Sequence, residues 1–315
     1  MQEEIGGYFG FEQLSGNEYY SNLIALNTGR NALLYLIKAR KIKKIYLPYF
    51  LCDSIVNMCR ENECSYELYN ISWDFTPQFT KKLSADEYIL IVNYFGQLAN
   101  GILKDLKQLY VNIIVDNTQA FFQKPLESVD TIYSCRKFFG VSDGAYLSTK
   151  MELKEILYTD SSKDRMMHIL GRYEGLASDY YSIFKYHNAR LKDEPLKFMS
   201  KLTHNILGAI DYDRVRQRRN ENYTYLHSKL EKYNVINPLM PDGPFAYPFF
   251  VENGLEIKKM LALKKIYIPT YWPNVLSENL TDSIEYKFAS NILPLPCDQR
   301  YGLDDMAYVL KHLLV

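Results

Sequence analysis

Val111-Asn112-Ile113-Ile114-Val115-Asp116-Asn117-Thr118-Gln119 is an apolar run that ends on an acid. It reads as a buried parallel strand, and an acid at the carboxyl end of such a strand points into the crevice where open α/β sheets bind ligands. A second short strand over 131–134 follows, then Ser134-Cys135-Arg136-Lys137 and Asp143-Gly144. A strand-end Asp followed by a strand-end Lys matches the needs of pyridoxal 5'-phosphate (PLP). The lysine amine bonds to the cofactor, and the acid keeps its pyridine nitrogen protonated so that the ring can act as an electron sink. Taken alone, Asp-x-x-Gln after a strand is common and a Lys beside an Arg is more often a solvated face than a nucleophile, so the decision rests on the rest of the chain.

Working outward, the chain of 315 residues can hold one large domain and a smaller one. Hydrophobic residues make up 47% and charged residues 23%, the composition of a globular protein. The formal net charge of +0 gives no electrostatic case for nucleic acid or an anionic membrane surface. The start, Met1-Gln2-Glu3-Glu4-Ile5, lacks the pattern of a signal peptide, and no apolar run is long enough to span a bilayer. A cytoplasmic location is expected. Five cysteines show no scaffold spacing, and Cys52, Cys59 and Cys64 do not form a zinc pattern, so reduced structural thiols are expected and no metal. Tyrosine is frequent, at 28 residues, which coding bias explains as readily as function. The sequons at Asn70, Asn222 and Asn279 carry no weight in a cytoplasmic chain.

Residues 1–20 read as an irregular aromatic- and glycine-rich arm. Asn27-Thr28-Gly29-Arg30-Asn31 opens a helical pattern through Ala32, Leu33, Leu36 and Ile37. Such a start is an N-cap, and it is also where a phosphate can meet free backbone N–H groups. Strands are predicted over 44–48, 65–68, 88–93 and 145–148, with helices over 53–62 and 102–108. This alternation implies βα units and a mostly parallel sheet. A dinucleotide-binding reading lacks its GxGxxG fingerprint. Residues 151–207 look mainly helical. Arg214, Arg216, Arg218 and Arg219 lie on a long helix, where a solvated face is the ordinary reading and a phosphate contact the sharper one. From about Val235 prolines punctuate short strands, two of them over 247–251 and 265–268, and a last helix covers 303–314. The organisation expected is an arm (1–20), a large α/β domain (21–210) with a three-layer αβα architecture, and a small C-terminal α+β domain (211–315).

In this order the pieces resemble the DegT/DnrJ/EryC1/StrS family of PLP-dependent sugar aminotransferases, a branch of the aspartate aminotransferase fold. The resemblance is carried by Thr28-Gly29, Pro48-Tyr49-Phe50, Asp116-Asn117-Thr118-Gln119, Ser134, Lys137 and Asp143-Gly144. Arg218-Arg219-Asn220-Glu221-Asn222-Tyr223 and Ile292-Leu293-Pro294-Leu295-Pro296 extend it from about Asn27 to the C-terminus. Ser134 lies nearer to Lys137 than in most members, Arg30 replaces a small residue, and Ala145 stands where a second glycine is common.

The resemblance implies that Lys137 is the Schiff-base lysine and the proton-transferring base, with Asp116 on the pyridine nitrogen. Gln119 would lie near the ring's 3-oxygen. Thr28, Gly29 and Ser134 would hold the phosphate, with Arg30 adding a charge-assisted contact. Tyr49 or Phe50 would stack on the ring, Phe50 being preferred, although core packing suits both. Tyr94 would line the substrate side, and Asn188 would reach a partner subunit's phosphate across a homodimer with shared sites. The histidines at 168, 187, 204, 227 and 312 receive no role. Relatives that act as sugar dehydratases carry His in place of this lysine, so Lys137 implies transamination. The activity implied is amino transfer, with glutamate as donor, to a keto-sugar that is nucleotide-linked, in polysaccharide or secondary-metabolite synthesis. The alternative, motivated by Arg30 and the short Ser134–Lys137 interval, is a degenerate protein of this fold that serves as a binding or assembly subunit.

Overall fold

A computed structural model describes residues 5–277 and 281–314; the Asn279 sequon and the first four residues of the arm lie outside them. Strands β1 (Ile24–Leu26), β2 (Lys44–Pro48), β3 (Ser65–Ile71), β4 (Pro77–Gln78), β5 (Glu87–Val92), β6 (Ile113–Asp116), β7 (Asp130–Ser134) and β8 (Ala145–Ser148) form one sheet. Their order is β1-β8-β7-β6-β5-β2-β3-β4. The pairs β2/β3, β2/β5, β5/β6 and β6/β7 are parallel, while β7/β8, β1/β8 and β3/β4 are antiparallel. The central strands read as unbroken apolar runs because both faces are buried: Ile89, Leu90, Ile91, Ile113, Ile114 and Val115 have almost no exposure. The register sets Val92 beside Asp116 and Asp116 beside Ile132, so the carboxyl ends of β5, β6 and β7 align.

Helices α1 (Gly29–Arg40), α2 (Asp53–Glu61) and α3 (Asn100–Leu109) connect these strands. The Thr28 hydroxyl accepts from the Asn31 amide at 3.1 Å and starts α1, and Lys41, left-handed at φ 54°, ends it by donating its N–H to the carbonyls of Ile37 and Lys38. Asn31 through Ile37 of α1 are all buried, so this helix lies in the core and not on its surface. At its far end Arg40 forms a two-point ion pair with Asp130, which anchors α1 to the start of β7.

The chain then leaves the sheet for α4 (Met167–Glu174), α5 (Tyr181–Arg190), α6 (Lys201–Gly208) and the long α7 (Tyr212–Leu230). Beyond it, β9 (Tyr247–Phe250) and β10 (Ile292–Leu295) pair antiparallel as a second sheet, accompanied by α8 (Gly254–Leu263), α9 (Ile284–Asn291) and α10 (Leu303–Leu313). A second core gathers Tyr223, Leu226, Leu230, Tyr247, Phe249, Leu293, Leu295, Met306 and Leu310. On the other face of this small sheet, Phe250, Phe288 and Ile292 join the main core.

Three expectations need correction. Residues 265–268 do not form a strand. Lys265 is left-handed at φ 60°, and the Ile266 amide donates to the Leu261 carbonyl at 3.0 Å, so this segment closes α8, and β10 is what pairs with β9. The segment 151–207 holds helices only in part, with mostly irregular chain and one short 3-10 turn (Lys163–Arg165) between β8 and α4. The four arginines of α7 do not share one solvated face, because Arg219 points inward and is 1% exposed. The arm carries no regular element in its described part, but it is pinned: Glu18 meets both the Tyr146 hydroxyl and His204, and the Leu14 amide donates to Asn205 at 2.8 Å.

Candidate functional site

The carboxyl ends of β6 and β7 and the N-terminus of α1 converge on Thr118. The Asp116 carboxylate accepts from the Thr118 amide at 2.8 Å, an Asx turn that fixes the acid at the strand end. The Thr118 hydroxyl in turn accepts from Lys137 Nζ at 2.9 Å. A Cβ placed on Gly29 would come within 3.3 Å of the Thr118 methyl, so a glycine lets the first turn of α1 approach this closely. Thr28, Gly29, Asp116 and Lys137 are thereby brought together, as expected from the sequence. Ser134 closes β7 opposite Ala145 and leads directly into the lysine turn.

Lys137 is reached by solvent although protein atoms crowd it closely. This crowding lowers its pKa from the ordinary lysine value, Asp116 and Cys52 oppose the shift, and neighbouring Arg136 adds to it. The site therefore favours a neutral amine more than water does, while an acid stands near it.

Sequence reasoning missed two residues here. Cys52, the N-cap position of α2, is the half-buried cysteine; Cys59, Cys64, Cys135 and Cys297 are fully buried. Cys52 lies among the neighbours of both Lys137 and Arg30. Arg136 donates to the Asn188 side chain at 3.0 Å and has no carboxylate partner among the described residues. The adjacent basic pair Arg136-Lys137 was the available signal, and it reads as an ordinary solvated pair until the strand end is located.

Several expected residues lie elsewhere or are otherwise engaged. Phe50 is 1% exposed, with its ring 4.4 Å from Trp272 and 5.3 Å from Tyr94. It is a core aromatic with no face free for a ring. Tyr94 is likewise buried, its hydroxyl donating to the Phe50 carbonyl at 2.7 Å, so it lines no substrate space. Arg30 donates to the carbonyls of Leu191 and Glu194 at 3.0 and 2.9 Å, and also to that of Lys192. It closes the end of α5 and does not face a phosphate. Asn188 sits on α5, held by Arg136 of its own chain. Gln119 accepts from the Phe95 amide at 2.8 Å, and its buried Nε2 has no partner among the described residues. An orphaned donor of this kind, three residues after Asp116, suits an acceptor oxygen on a bound molecule.

Asp143 is fully buried and accepts from the Ser200 amide and hydroxyl, both at 2.8 Å, and from the Thr203 hydroxyl. It caps α6. Gly144 beside it takes φ +117°, and a Cβ there would press on Thr203 and Cys135. The Asp-Gly pair is thus a joint between β8, the lysine turn and α6. A surface concavity runs along α7 past Arg216, Asn220 and Tyr225, and Lys137 is not among its lining residues.

No family model matches the chain, and no curated protein matches it in sequence. Its fold is shared with solved aminotransferases. A DegT DnrJ EryC1 StrS aminotransferase from Brucella abortus superposes with a TM-score of 0.62 at 13% identity, over 93% of this chain and 85% of that one. PseC of Helicobacter pylori, an aminotransferase involved in the biosynthesis of pseudoaminic acid, gives 0.63 at 15% identity over 92% and 85%. NtdA of Bacillus subtilis, solved with the bound cofactor PMP, gives 0.63 at 13% identity over 93% and 72%. The architecture is therefore the α/β fold of these enzymes.

Proposed function

We propose that this chain is a PLP-dependent aminotransferase that moves an amino group, with glutamate as donor, to a nucleotide-linked keto-sugar. The observation that carries this reading is Lys137 Nζ on the Thr118 hydroxyl, at the aligned ends of β6 and β7 and near Asp116. The residues fit the cofactor. The first turn of α1, opened by Thr28 and Gly29, offers backbone N–H groups and the positive end of a helix dipole to a phosphate. Asp116 supplies a fixed negative charge for a protonated ring nitrogen, and the unpartnered Gln119 Nε2 supplies a donor to a ring oxygen. Bound PLP supplies an electron sink for a carbanion beside the transferred nitrogen.

Among this chain's own groups, Lys137 Nζ moves the proton: its lowered pKa makes the neutral, proton-accepting amine available. Thr118 orients that amine, and the Asx turn keeps the Asp116 carboxylate from rotating away. The reading includes a cytoplasmic homodimer. Exposed apolar side chains on and between α4 and α5, among them Leu170, Tyr173, Leu176 and Tyr181, support a partner surface there. Among the described residues no helix is long and apolar enough to cross a membrane.

The test is a half-reaction. The PLP-loaded protein is mixed with glutamate and the cofactor absorbance is followed as it passes to the amine form; keto-sugar nucleotides are then added to restore it. Restoration by these sugars and not by simple 2-keto acids alone is the expected result. PLP uptake with no donor reaction would point to another PLP chemistry. No uptake would point to a binding or assembly subunit.

A further inference from the structure

Two side chains from the C-terminal half converge on the backbone just after Lys137. The Phe138 carbonyl accepts from Gln299 Nε2 at 2.7 Å and from Arg219 Nη2 at 3.3 Å. The remainder of the Arg219 guanidinium is committed as well: Nε donates to Gln299 Oε1 at 2.8 Å and Nη1 to the Pro244 carbonyl at 2.8 Å. The group also lies 4.5 Å from the centre of the Phe138 ring.

Arg219 is 1% exposed and has no carboxylate within ion-pair distance among the described residues, since nearby Asp298 is held by Arg300 at 2.6 and 2.9 Å. Burying a guanidinium without a counter-ion is costly, and an apolar side chain of similar volume would satisfy a core at less cost. What an apolar residue lacks is directed donors. On the other side of the turn, the Phe138 and Phe139 amides donate to the Cys135 carbonyl at 3.0 and 2.9 Å. The lysine turn is thus closed by its own backbone on one side and held from α7 and the 297–300 loop on the other.

We propose that Arg219 and Gln299 form a positioning clamp that sets the backbone from which Lys137 reaches the cofactor. The clamp makes the C-terminal half a determinant of lysine reactivity although neither residue touches the reacting atoms. The proposal rests on the reading that Lys137 carries PLP.

The experiment uses the full chain with PLP and compares wild type, Gln299→Leu, Arg219→Lys and, as a control on the exposed face of the same helix, Arg218→Met. The readouts are the apparent Kd for PLP, the absorbance maximum of the bound cofactor, the rate of borohydride-fixed phosphopyridoxyl labelling at Lys137, and Tm. Losing a directed hydrogen bond at the clamp is expected to weaken PLP binding about ten-fold and to slow labelling in Gln299→Leu. Arg219→Lys keeps the charge but not the fork and is expected to behave similarly, while Arg218→Met matches wild type. Clamp variants that lose Tm but keep the wild-type Kd, absorbance and labelling rate would overturn the clamp and leave a structural role only. A wild-type chain that is never labelled would instead overturn the underlying reading, and the clamp with it. Gln299→Leu removes no buried charge, so it keeps the test open if Arg219→Lys does not fold.

Discussion

Thr118 shows how one small side chain can organise a site. It holds Lys137 through its hydroxyl, the Asp116 carboxylate through its amide, and the first turn of α1 through its methyl group. Asp116 itself carries no ion pair among the described residues, so its charge is available to a ligand. Asp116→Asn keeps the shape and the Asx turn and removes the charge. It is expected to lower transamination by at least ~100-fold while Lys137 is still labelled by PLP and borohydride. A variant with wild-type turnover would remove Asp116 from the chemistry. At this scale the sequence was informative where local rules apply. An acid after an apolar run, a Thr-Gly helix start and a lysine after a short strand all sit where such patterns sit. Phe50 and Tyr94 were misread because the aromatics that bury them, Phe75, Trp272 and Phe288, are distant in sequence. Arg30 was misread for the same reason, since the carbonyls it satisfies belong to the end of α5.

Among the elements, two junctions next to the lysine turn carry measurable consequences. Asp143 holds three donors at the start of α6. Asp143→Ala would leave the Ser200 amide and the Thr203 hydroxyl unpaired in a buried place, while Ser200 Oγ keeps Ser162 Oγ at 2.7 Å, and is expected to cost about 3 kcal/mol, read from the shift of a denaturant midpoint. A shift within error would mean that water replaces the carboxylate. Helices α4 and α5 meet through His168 and His187, whose Nδ1 atoms are 3.1 Å apart, one donating and the other accepting. Burial lowers the pKa of His168, and His187 and Arg136 lower it further. A base with a lowered pKa in the folded chain costs nothing above its unfolded value of about 6.5 and costs stability as pH falls below it. Amide protection in α4 and α5, corrected for the intrinsic exchange rate at each pH, is therefore expected to fall as pH drops below about 6.5, and His168→Asn should flatten that dependence. Equal pH profiles for the two proteins would contradict it. Element prediction worked for the long apolar strands and for α7, whose cores set their period. It failed over 265–268, where alternating Ile266 and Ile268 imitate a strand but a left-handed Lys265 ends α8 instead. It also passed over β1, whose three residues carry too short a pattern to register.

For the molecule as a whole, the parallel sheet brings the candidate site residues to its carboxyl edge, and the C-terminal half supplies donors to the Phe138 carbonyl of the lysine turn. Neither follows from composition. The fold class was legible because apolar runs alternate with helical patterns, and because the candidate site residues fall near strand ends in a recognisable order. The role of Arg219 was not legible, since an arginine among arginines on a polar helix gives no sign that it turns inward to the Phe138 carbonyl. The assignment of activity depends on one covalent fact. The purified protein, incubated with PLP, reduced with borohydride and mapped by peptide mass, is expected to carry a phosphopyridoxyl group on Lys137, absent from Lys137→Ala. No adduct at saturating PLP, or an adduct spread over surface lysines and unchanged in Lys137→Ala, would contradict the account.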